Sequence, residues 1–240
     1  MNIALIGYGR MGKEIEKIAI DRGHKIGLII DVDNSEDLTT ENLKGVDVAI
    51  EFTIPSSAVS NYKTCLSSGV PVVSGTTGWL AQWKEITEFC NKNDTAFFYA
   101  SNFSLGVNLF FELNKQLAKL MQSFDQYNVQ MTEVHHTKKL DAPSGTAISL
   151  ADDLIALRRD IKGWVNSETN EKEKLGIVSI REGNVPGIHT VKYESEADYI
   201  EITHSAKSRQ GFAMGAVLAA EYTANKKGIL SMRDMLNLKD

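Results

Sequence analysis

Along the first hundred residues, hydrophobic positions fall into short solid runs separated by helical stripes. Ile3 to Ile6 form an apolar run of strand length. Gly7, Gly9 and Gly12 follow, and then Met11, Ile15, Ile18 and Ala19 recur at helical spacing. "KIGLIID" reads as a second strand ending in Asp31, and "VDVAIEF" as a third. "PSSAVSNYKTCLSSG" reads as a helix starting at Pro55, "VPVVSG" as a fourth strand, "LAQWKEITEFCNKN" as a helix and "TAFFYA" as a fifth strand. Solid apolar strands alternating with amphipathic helices predict a parallel, doubly wound α/β sheet of Rossmann type, covered on both faces.

After the helical stretch Gly106 to Gln122 the pattern changes. "NVQMTEVHH" alternates as a half-buried strand, and "SGTAISLADDLIAL" reads as a helix with Ser144 as its cap. Three strand-like runs then come close together: "KLGIVSIRE", "GIHTVKYES" and "DYIEITHSA". Their short connections predict antiparallel pairing, hence an α+β domain with a mixed, largely antiparallel sheet. The last helix, "GFAMGAVLAAEYTANKK", and "ILSMRDML" return to the first domain. The boundaries predicted are 1–103 with 210–240 for one domain and 104–209 for the other. The crossings near Asn102 and Arg209 are candidate hinges. "NSETNEKEK" (Asn166 to Lys174) reads as a mobile surface loop.

Composition narrows the partners. A net charge of −5 argues against a general nucleic-acid binder. No run of about 18 apolar residues suggests a membrane span, and the chain opens directly on a strand rather than on a targeting segment. Cys65 and Cys90 give neither metal spacing nor a disulfide framework, so no metal is expected and a reducing cytoplasm is the simplest location.

Two places carry chemistry. The first is G-x-G-x-x-G at Gly7, Gly9 and Gly12, placed directly between a strand and a helix. Its glycines permit the turn, the approach of a pyrophosphate and close helix packing. Asp31 lies 19 positions after Gly12, close to the roughly 20 expected of a ribose-binding acid. Ligands of such sheets sit beyond the carboxyl ends of the strands, which puts Phe52, Thr53, Gly75, Thr76, Thr77, Ala100, Ser101 and Asn102 along one crevice. The second place is "EVHHTKKLDAPSGTA". Two of the five histidines, His135 and His136, stand beside Lys138 and Lys139 in an acidic chain. The helix start at Ser144, with the amides of Gly145 and Thr146, is an anion site by geometry. A hydride donor in one domain and a dianion receptor in the other predict a dehydrogenase or reductase acting on a small polycarboxylate.

The stretch Glu133, His135, His136, Lys139, Asp141 and Ala142 to Ala147 resembles the hallmark of the 4-hydroxy-tetrahydrodipicolinate (dihydrodipicolinate) reductases. "GYGRMG", "EFT", "SGTTG", "ASNFSLGVN", "IREGNVPGIHT", "ITHSAKSRQGFAMGAV" and "MRDML" match the family in order along nearly the whole chain. The resemblance implies a two-domain enzyme of lysine and diaminopimelate synthesis. It would reduce a cyclic imine dicarboxylate with NADH or NADPH and release water. It implies His135 as proton donor or acceptor and Lys139 as second proton donor. His136, Gly145 and Thr146 would contact the substrate carboxylates, with Thr77 beside them. Tyr8, Arg10 and Met11 within the glycine turn, and the loops Gly75 to Thr77 and Ala100 to Phe103, would hold the cofactor. A homotetramer built through the second domain is implied as well. A second cation close to His135 is expected to lower the pKa of its ring.

The chain departs from many relatives at Glu51 (often Asp), at Ser101 (often Ala) and in the segment 164–174, which lacks a Gly-rich loop. After Asp31 it carries Val32 where many relatives have arginine, so NADH is expected to be preferred and NADPH usable. Two other readings are an amino-acid or homoserine-type dehydrogenase with the same first domain, and a dinucleotide sensor without catalysis. The first has no need of "HHTKKLDAPSGTA", and the second none for both His135 and Lys139.

Overall fold

The structure is a computed structural model and describes residues 1–208 and 210–238. The predicted crossing at Arg209 lies outside the described residues. The chain divides into two compact units, Met1–Leu105 with Gln210–Asp240, and Gly106–Arg209.

In chain order the first unit runs β1 (Asn2–Ile6), α1 (Arg10–Asp21), β2 (Lys25–Ile30), β3 (Val48–Glu51), α2 (Pro55–Ser67), β4 (Val72–Ser74), α3 (Trp83–Lys92) and β5 (Ala96–Tyr99). The helix α4 (Leu105–Met121) leads into the second unit, with β6 (Asn128–His135), α5 (Gly145–Leu157), β7 (Gly163–Val165), β8 (Lys174–Arg181), β9 (Gly187–Glu194) and β10 (Tyr199–Ala206). The chain then returns with α6 (Gln210–Thr223), β11 (Gly228–Leu230) and α7 (Met232–Met235).

The first sheet is wholly parallel, in the order β11-β5-β4-β3-β1-β2. Alternate residues face opposite ways, so each strand feeds two cores. Ile3, Leu5, Val48, Ile50, Val73 and Phe98 pack with Ile15 and Ala19 of α1 and the small residues of α6. Ala4, Ile6, Ala49, Val72 and Phe97 pack with Tyr62 and Leu66 of α2 and Ile86 of α3. Burying each large aliphatic side chain contributes about 1.5–3 kcal/mol, so the solid runs define the sheet's centre. The edge strand β11 is a difference from the sequence reading. At three residues it is too short to show periodicity, and it is defined by pairing with Ala96 to Phe98.

The second sheet runs β10-β9-β6-β8-β7. The β10/β9 and β9/β6 ladders are antiparallel, while β6/β8 and β7/β8 are parallel. The expected pairing of "KLGIVSIRE" with "GIHTVKYES" does not form, because β6 lies between β8 and β9. The α5 crossover makes β8 parallel to β6, and β9 closes on the other side of β6. The helices α4 and α5 cover one face through Phe110, Ala118, Met121, Leu150 and Leu154.

Candidate active site

In the first unit the strand order β2-β1-β3 reverses the winding between β1 and β3, where doubly wound sheets open their ligand crevice. The residues beyond the strand ends are stitched in a staircase. Gly7 N donates to Ile30 O at 2.8 Å, Phe52 N to Ile6 O at 2.8 Å, Gly75 N to Glu51 O at 3.0 Å and Ala100 N to Ser74 O at 3.3 Å. Gly7 has φ +91°, and a Cβ there would stand 2.1 Å from the Phe52 carbonyl oxygen. Glycine alone meets both demands. Gly9 is the N-cap of α1 with no side chain capping the helix, and a Cβ on it would meet nothing within 4 Å. Open space at the second glycine, beside an uncapped helix start, fits a pyrophosphate. Gly12 and Met11 pack inward, Arg10 is exposed, and the half-buried Tyr8 bonds Glu16 through its hydroxyl. Asp31 follows β2 and is exposed, with its amide donating to Asn34 Oδ1 at 2.8 Å.

The loops after β3, β4 and β5 meet through Phe52. Its ring fills the space a Cβ at Gly75 would occupy and packs 5.5 Å from the buried Phe103. Beneath them lies Glu51, a fully buried carboxyl. Ser74 Oγ donates to its Oε2 at 2.9 Å and Thr76 Oγ1 to its Oε1 at 3.1 Å, with Thr53 Oγ1 a third donor. Tyr62 reaches the cluster through Ser74, 2.7 Å away, and Thr53 N donates to Thr76 Oγ1 at 2.8 Å. The carboxyl therefore fastens two strand-end loops from inside. Thr77 and Ser101 are exposed, Asn102 is half-buried and its Oδ1 accepts from Ser104 N at 2.9 Å, and Ala100 is buried.

Burial drives the Glu51 pKa upward more strongly than the hydroxyl donors lower it. A carboxyl whose folded pKa exceeds its unfolded one stabilises the fold fully below the ordinary glutamate range. That stability is lost as pH rises through the folded value. Glu51→Gln is expected to remove this decline, so the Tm of the variant gains on the wild type from pH 4.5 to pH 8. A constant Tm difference across that range would show that Glu51 does not titrate there.

In the second unit, β6 ends at His135 and a turn follows, with Lys139 N donating to His136 O at 3.0 Å. Lys139 Nζ pairs with Asp141 Oδ2 at 2.8 Å. Ser144 caps α5 by accepting from Ala147 N at 3.2 Å. Its own amide donates to both Glu133 oxygens, at 3.0 and 3.1 Å. Gly145 and Thr146, half-buried or exposed, open the helix; their first-turn amides lack intrahelical acceptors, and a Cβ at Gly145 would meet nothing within 4 Å. The structure thus brings His135, His136, Lys139, Gly145 and Thr146 to one end of the second sheet, with the open helix start beside the cations.

Around His135 lie groups the sequence reading had not assigned. Glu133 precedes it by two on the same strand. His189 pairs opposite Glu133 across the β6/β9 ladder, and Arg181 pairs opposite His135 across β6/β8. Glu133 Oε2 stands 3.3 Å from His135 Nδ1 and 3.7 Å from His189 Nε2. Arg181 Nη2 donates to Glu133 Oε1 at 3.1 Å and to Asp141 O at 2.6 Å. Burial raises the Glu133 pKa, but donation from Ser144, Ser179 and Arg181 outweighs it and leaves the carboxyl below its ordinary value. Burial lowers His135, Lys139 and Arg181 push it the same way, and Glu133 opposes them. His189 falls to about 4, chiefly by burial, and is neutral near pH 7.

Glu133, His135 and His189 offer ligand atoms within 4.8 Å of one another, a spacing open to a metal ion. The Glu133 oxygens are already engaged by the Ser144 amide and Arg181, and the Arg181 and Lys139 cations would repel a metal. The three side chains form a buried charged cluster. Only its cross-strand register could have revealed it, and register is not written in any one strand.

A doubly wound unit with an open glycine cradle, joined in one chain to a cation cluster at a helix start, defines a nicotinamide-dependent reductase. Family models described as the N-terminus and C-terminus of dihydrodipicolinate reductase match residues 1–103 and 106–236. The chain belongs to the dihydrodipicolinate reductase family, whose role is in the diaminopimelate route to lysine. It is 54% identical over 239 residues to the 4-hydroxy-tetrahydrodipicolinate reductase of Christiangramia forsetii, covering 99% of this chain and 98% of the relative. It is 37% identical to that of Methanocaldococcus jannaschii, covering 90% and 80%. A solved dipicolinate-bound dihydrodipicolinate reductase from Paenisporosarcina sp. TG-14 has the same fold, with TM-score 0.78, 23% identity and full coverage of both chains. An amine dehydrogenase from Mycobacterium smegmatis shares the fold more loosely, with TM-score 0.61, 11% identity and coverage of 100% and 96%.

Proposed function

We propose that this reductase converts 4-hydroxy-tetrahydrodipicolinate to tetrahydrodipicolinate and water with His135 and Lys139 as the proton-handling groups. The single observation that carries the reading is the cluster of His135, Lys139 and the open α5 N-terminus at one end of the second sheet. Loss of the ring hydroxyl together with a hydrogen of the neighbouring carbon releases water and leaves a carbon–carbon double bond conjugated with the ring imine. Bound reduced nicotinamide would supply a hydride to the far carbon of that bond, and one proton returns to the carbon beside the imine. The residues around the glycine turn, Asp31, and the loops Phe52 to Thr53, Gly75 to Thr77 and Ala100 to Phe103 hold and orient the dinucleotide. Among these, Thr77 also borders the substrate. The amides of Gly145 and Thr146, the Thr146 hydroxyl and His136 take the substrate carboxylates. Incoming anionic carboxylates raise the depressed pKa of His135. The imidazole is then protonated when negative charge builds on the ring, and it delivers that proton or stabilises the charge. Lys139, released from Asp141, serves as the second donor.

The test is a coupled assay with freshly made substrate, following loss of reduced-nicotinamide absorbance. No turnover there, or turnover with an amino acid instead, would replace the reading with a dehydrogenase or a sensor. Within the same assay, Thr146→Val is expected to raise the substrate KM and leave dinucleotide affinity unchanged. A lost hydroxyl contact to a charged group is worth about 1.5–3 kcal/mol, and at this half-buried position the lower end applies, near tenfold. Equal weakening of both ligands would remove Thr146 from the carboxylate site.

A homotetramer is proposed through the second sheet. Its face opposite α4 and α5 presents Val134, Ile180 and Ile188 in register, with Ile180 41% exposed. Sedimentation of a monomer at micromolar concentration would overturn this. A cytoplasmic location is proposed as well, supported by the buried free thiols of Cys65 and Cys90. Among the described residues no helix is long and apolar enough to cross a membrane. Cell fractionation tests the location, and recovery in the secreted or membrane fraction would overturn it.

A further inference from the structure

We propose that Glu133 and Gly187 are positioning residues that divide the labour of the His135 ring, the carboxylate holding Nδ1–H and the bare Gly187 backbone keeping Nε2 free to exchange a proton with substrate. The inference rests on the reading of His135 as a proton-handling group.

Glu133 and His135 are two apart on β6, so their side chains share a face. The carboxylate is 1% exposed, and the Ser144 amide and Arg181 fix its orientation. Its Oε2 lies 3.3 Å from Nδ1, inside ion-pair range but off hydrogen-bond alignment. Contacts of this kind commonly tighten once substrate is bound. Oε2 also accepts from the Ser144 amide at 3.1 Å, and for its remaining lone pair the competing ring is His189, at 3.7 Å. Its Nε2 is already 3.1 Å from Ser144 Oγ, and as a neutral ring it draws the carboxylate weakly. Oε2 therefore serves His135.

The other ring nitrogen has a separate constraint. A Cβ built on Gly187 would stand 3.0 Å from His135 Nε2 and 3.3 Å from its Cδ2. Any side chain at residue 187 would press on the nitrogen that Glu133 leaves free. Two observations on two strands thus select the same nitrogen. The charged and titratable groups around the ring are Glu133 on β6, Lys139 and Asp141 in the following loop, Arg181 on β8 and His189 on β9. Of these, Glu133 and Asp141 favour the imidazolium and Lys139 and Arg181 oppose it.

The experiment combines ring 15N chemical shifts of His135 with steady-state kinetics over a pH series. The wild type is expected to carry its neutral-ring proton on Nδ1. Glu133→Gln should populate both tautomers, move the His135 ionisation to lower pH and lower kcat about tenfold, with the substrate KM changed much less. Glu133→Asp should restore the Nδ1–H tautomer. Gly187→Ala should lower kcat and move the His135 Nε2 chemical shift without changing the tautomer. Because Gly187 has φ +157°, strained for any side chain, an unchanged Nε2 shift would assign the loss to the backbone and overturn the proposal. A wild-type proton on Nε2 overturns the proposal even if Glu133→Gln fails to fold. So does a Gly187→Ala enzyme with wild-type kcat. The proton role of His135 itself is tested apart from this, by turnover of His135→Ala.

Discussion

Replacing His135 or Lys139 with alanine is expected to lower kcat by about 10²-fold or more, with a smaller change in KM. Positioned proton transfer contributes about 10²–10⁴-fold, and 10²-fold corresponds to about 2.7 kcal/mol of transition-state stabilisation. The two losses arise differently. His135 is buried, so its removal leaves a cavity beside Glu133 and His189 as well as a missing donor. Lys139 is at a turn and 22% exposed, ion-paired with Asp141 at 2.8 Å. Such a partly exposed pair holds the fold together weakly, so Lys139→Ala should fold normally and report chemistry alone. A fall in kcat with little change in KM identifies groups that act mainly in the transition state. If both variants keep near-wild-type kcat, the proton roles assigned to them are wrong.

The cofactor preference should follow Asp31, with kcat/KM higher for NADH than for NADPH. Asp31 stands exposed just beyond β2, where a carboxylate accepts hydrogen bonds from the ribose hydroxyls. A 2′-phosphate would bring like charge against it. No basic residue on the Asp31 turn itself compensates. Val32 is 86% exposed and Asp33, Glu36 and Asp37 follow in the same turn, while no lysine or arginine stands between Gly27 and Asn42. Lys44 is paired with Glu41 at 2.6 Å. Lys25 begins β2, the length of the strand away, roughly 20 Å. One uncompensated like-charge contact costs on the order of 1–3 kcal/mol, or about 5- to 150-fold in affinity. Asp31→Ala with Val32→Arg should reverse the ratio of kcat/KM for the two cofactors. A wild type that favours NADPH, or a double variant that fails to shift, would pass the role to Arg10, which opens α1 beside the glycine turn.

The sequence made the first sheet legible because its signals are local. Solid apolar runs, the glycine turn and the proline at the start of α2 each act within a few residues. The gathering of His135, Lys139 and Thr146 in one place was legible for the same reason, since charge clustering and a helix start lie in one short stretch. What escaped depends on which strands become neighbours. β11 is visible only against β5, and the separation of β8 from β9 exists only because β6 enters between them. The same ladders bring His189 and Arg181 to Glu133 from about 50 residues away in sequence. Glu51 was hidden otherwise. At the end of an apolar run it read as a strand terminus, and its hydroxyl donors come from loops that meet only after folding.

The first unit is assembled from two stretches of chain with the whole of Gly106–Arg209 between them. Its core on one sheet face needs Ala213, Ala216, Val217, Ala219 and Ala220 of α6, and Gly215 lies so near Phe103 that a Cβ would sit 1.7 Å from its carbonyl oxygen. During synthesis the opening hundred residues therefore emerge with Ile3, Leu5, Val48 and Ile50 lacking that cover. At about 5–20 residues per second, the ribosome needs roughly 5–20 seconds to make the intervening segment. The inserted unit is complete in sequence before the unit that begins the chain, so the nascent first half is the stretch whose apolar face waits longest for its cover.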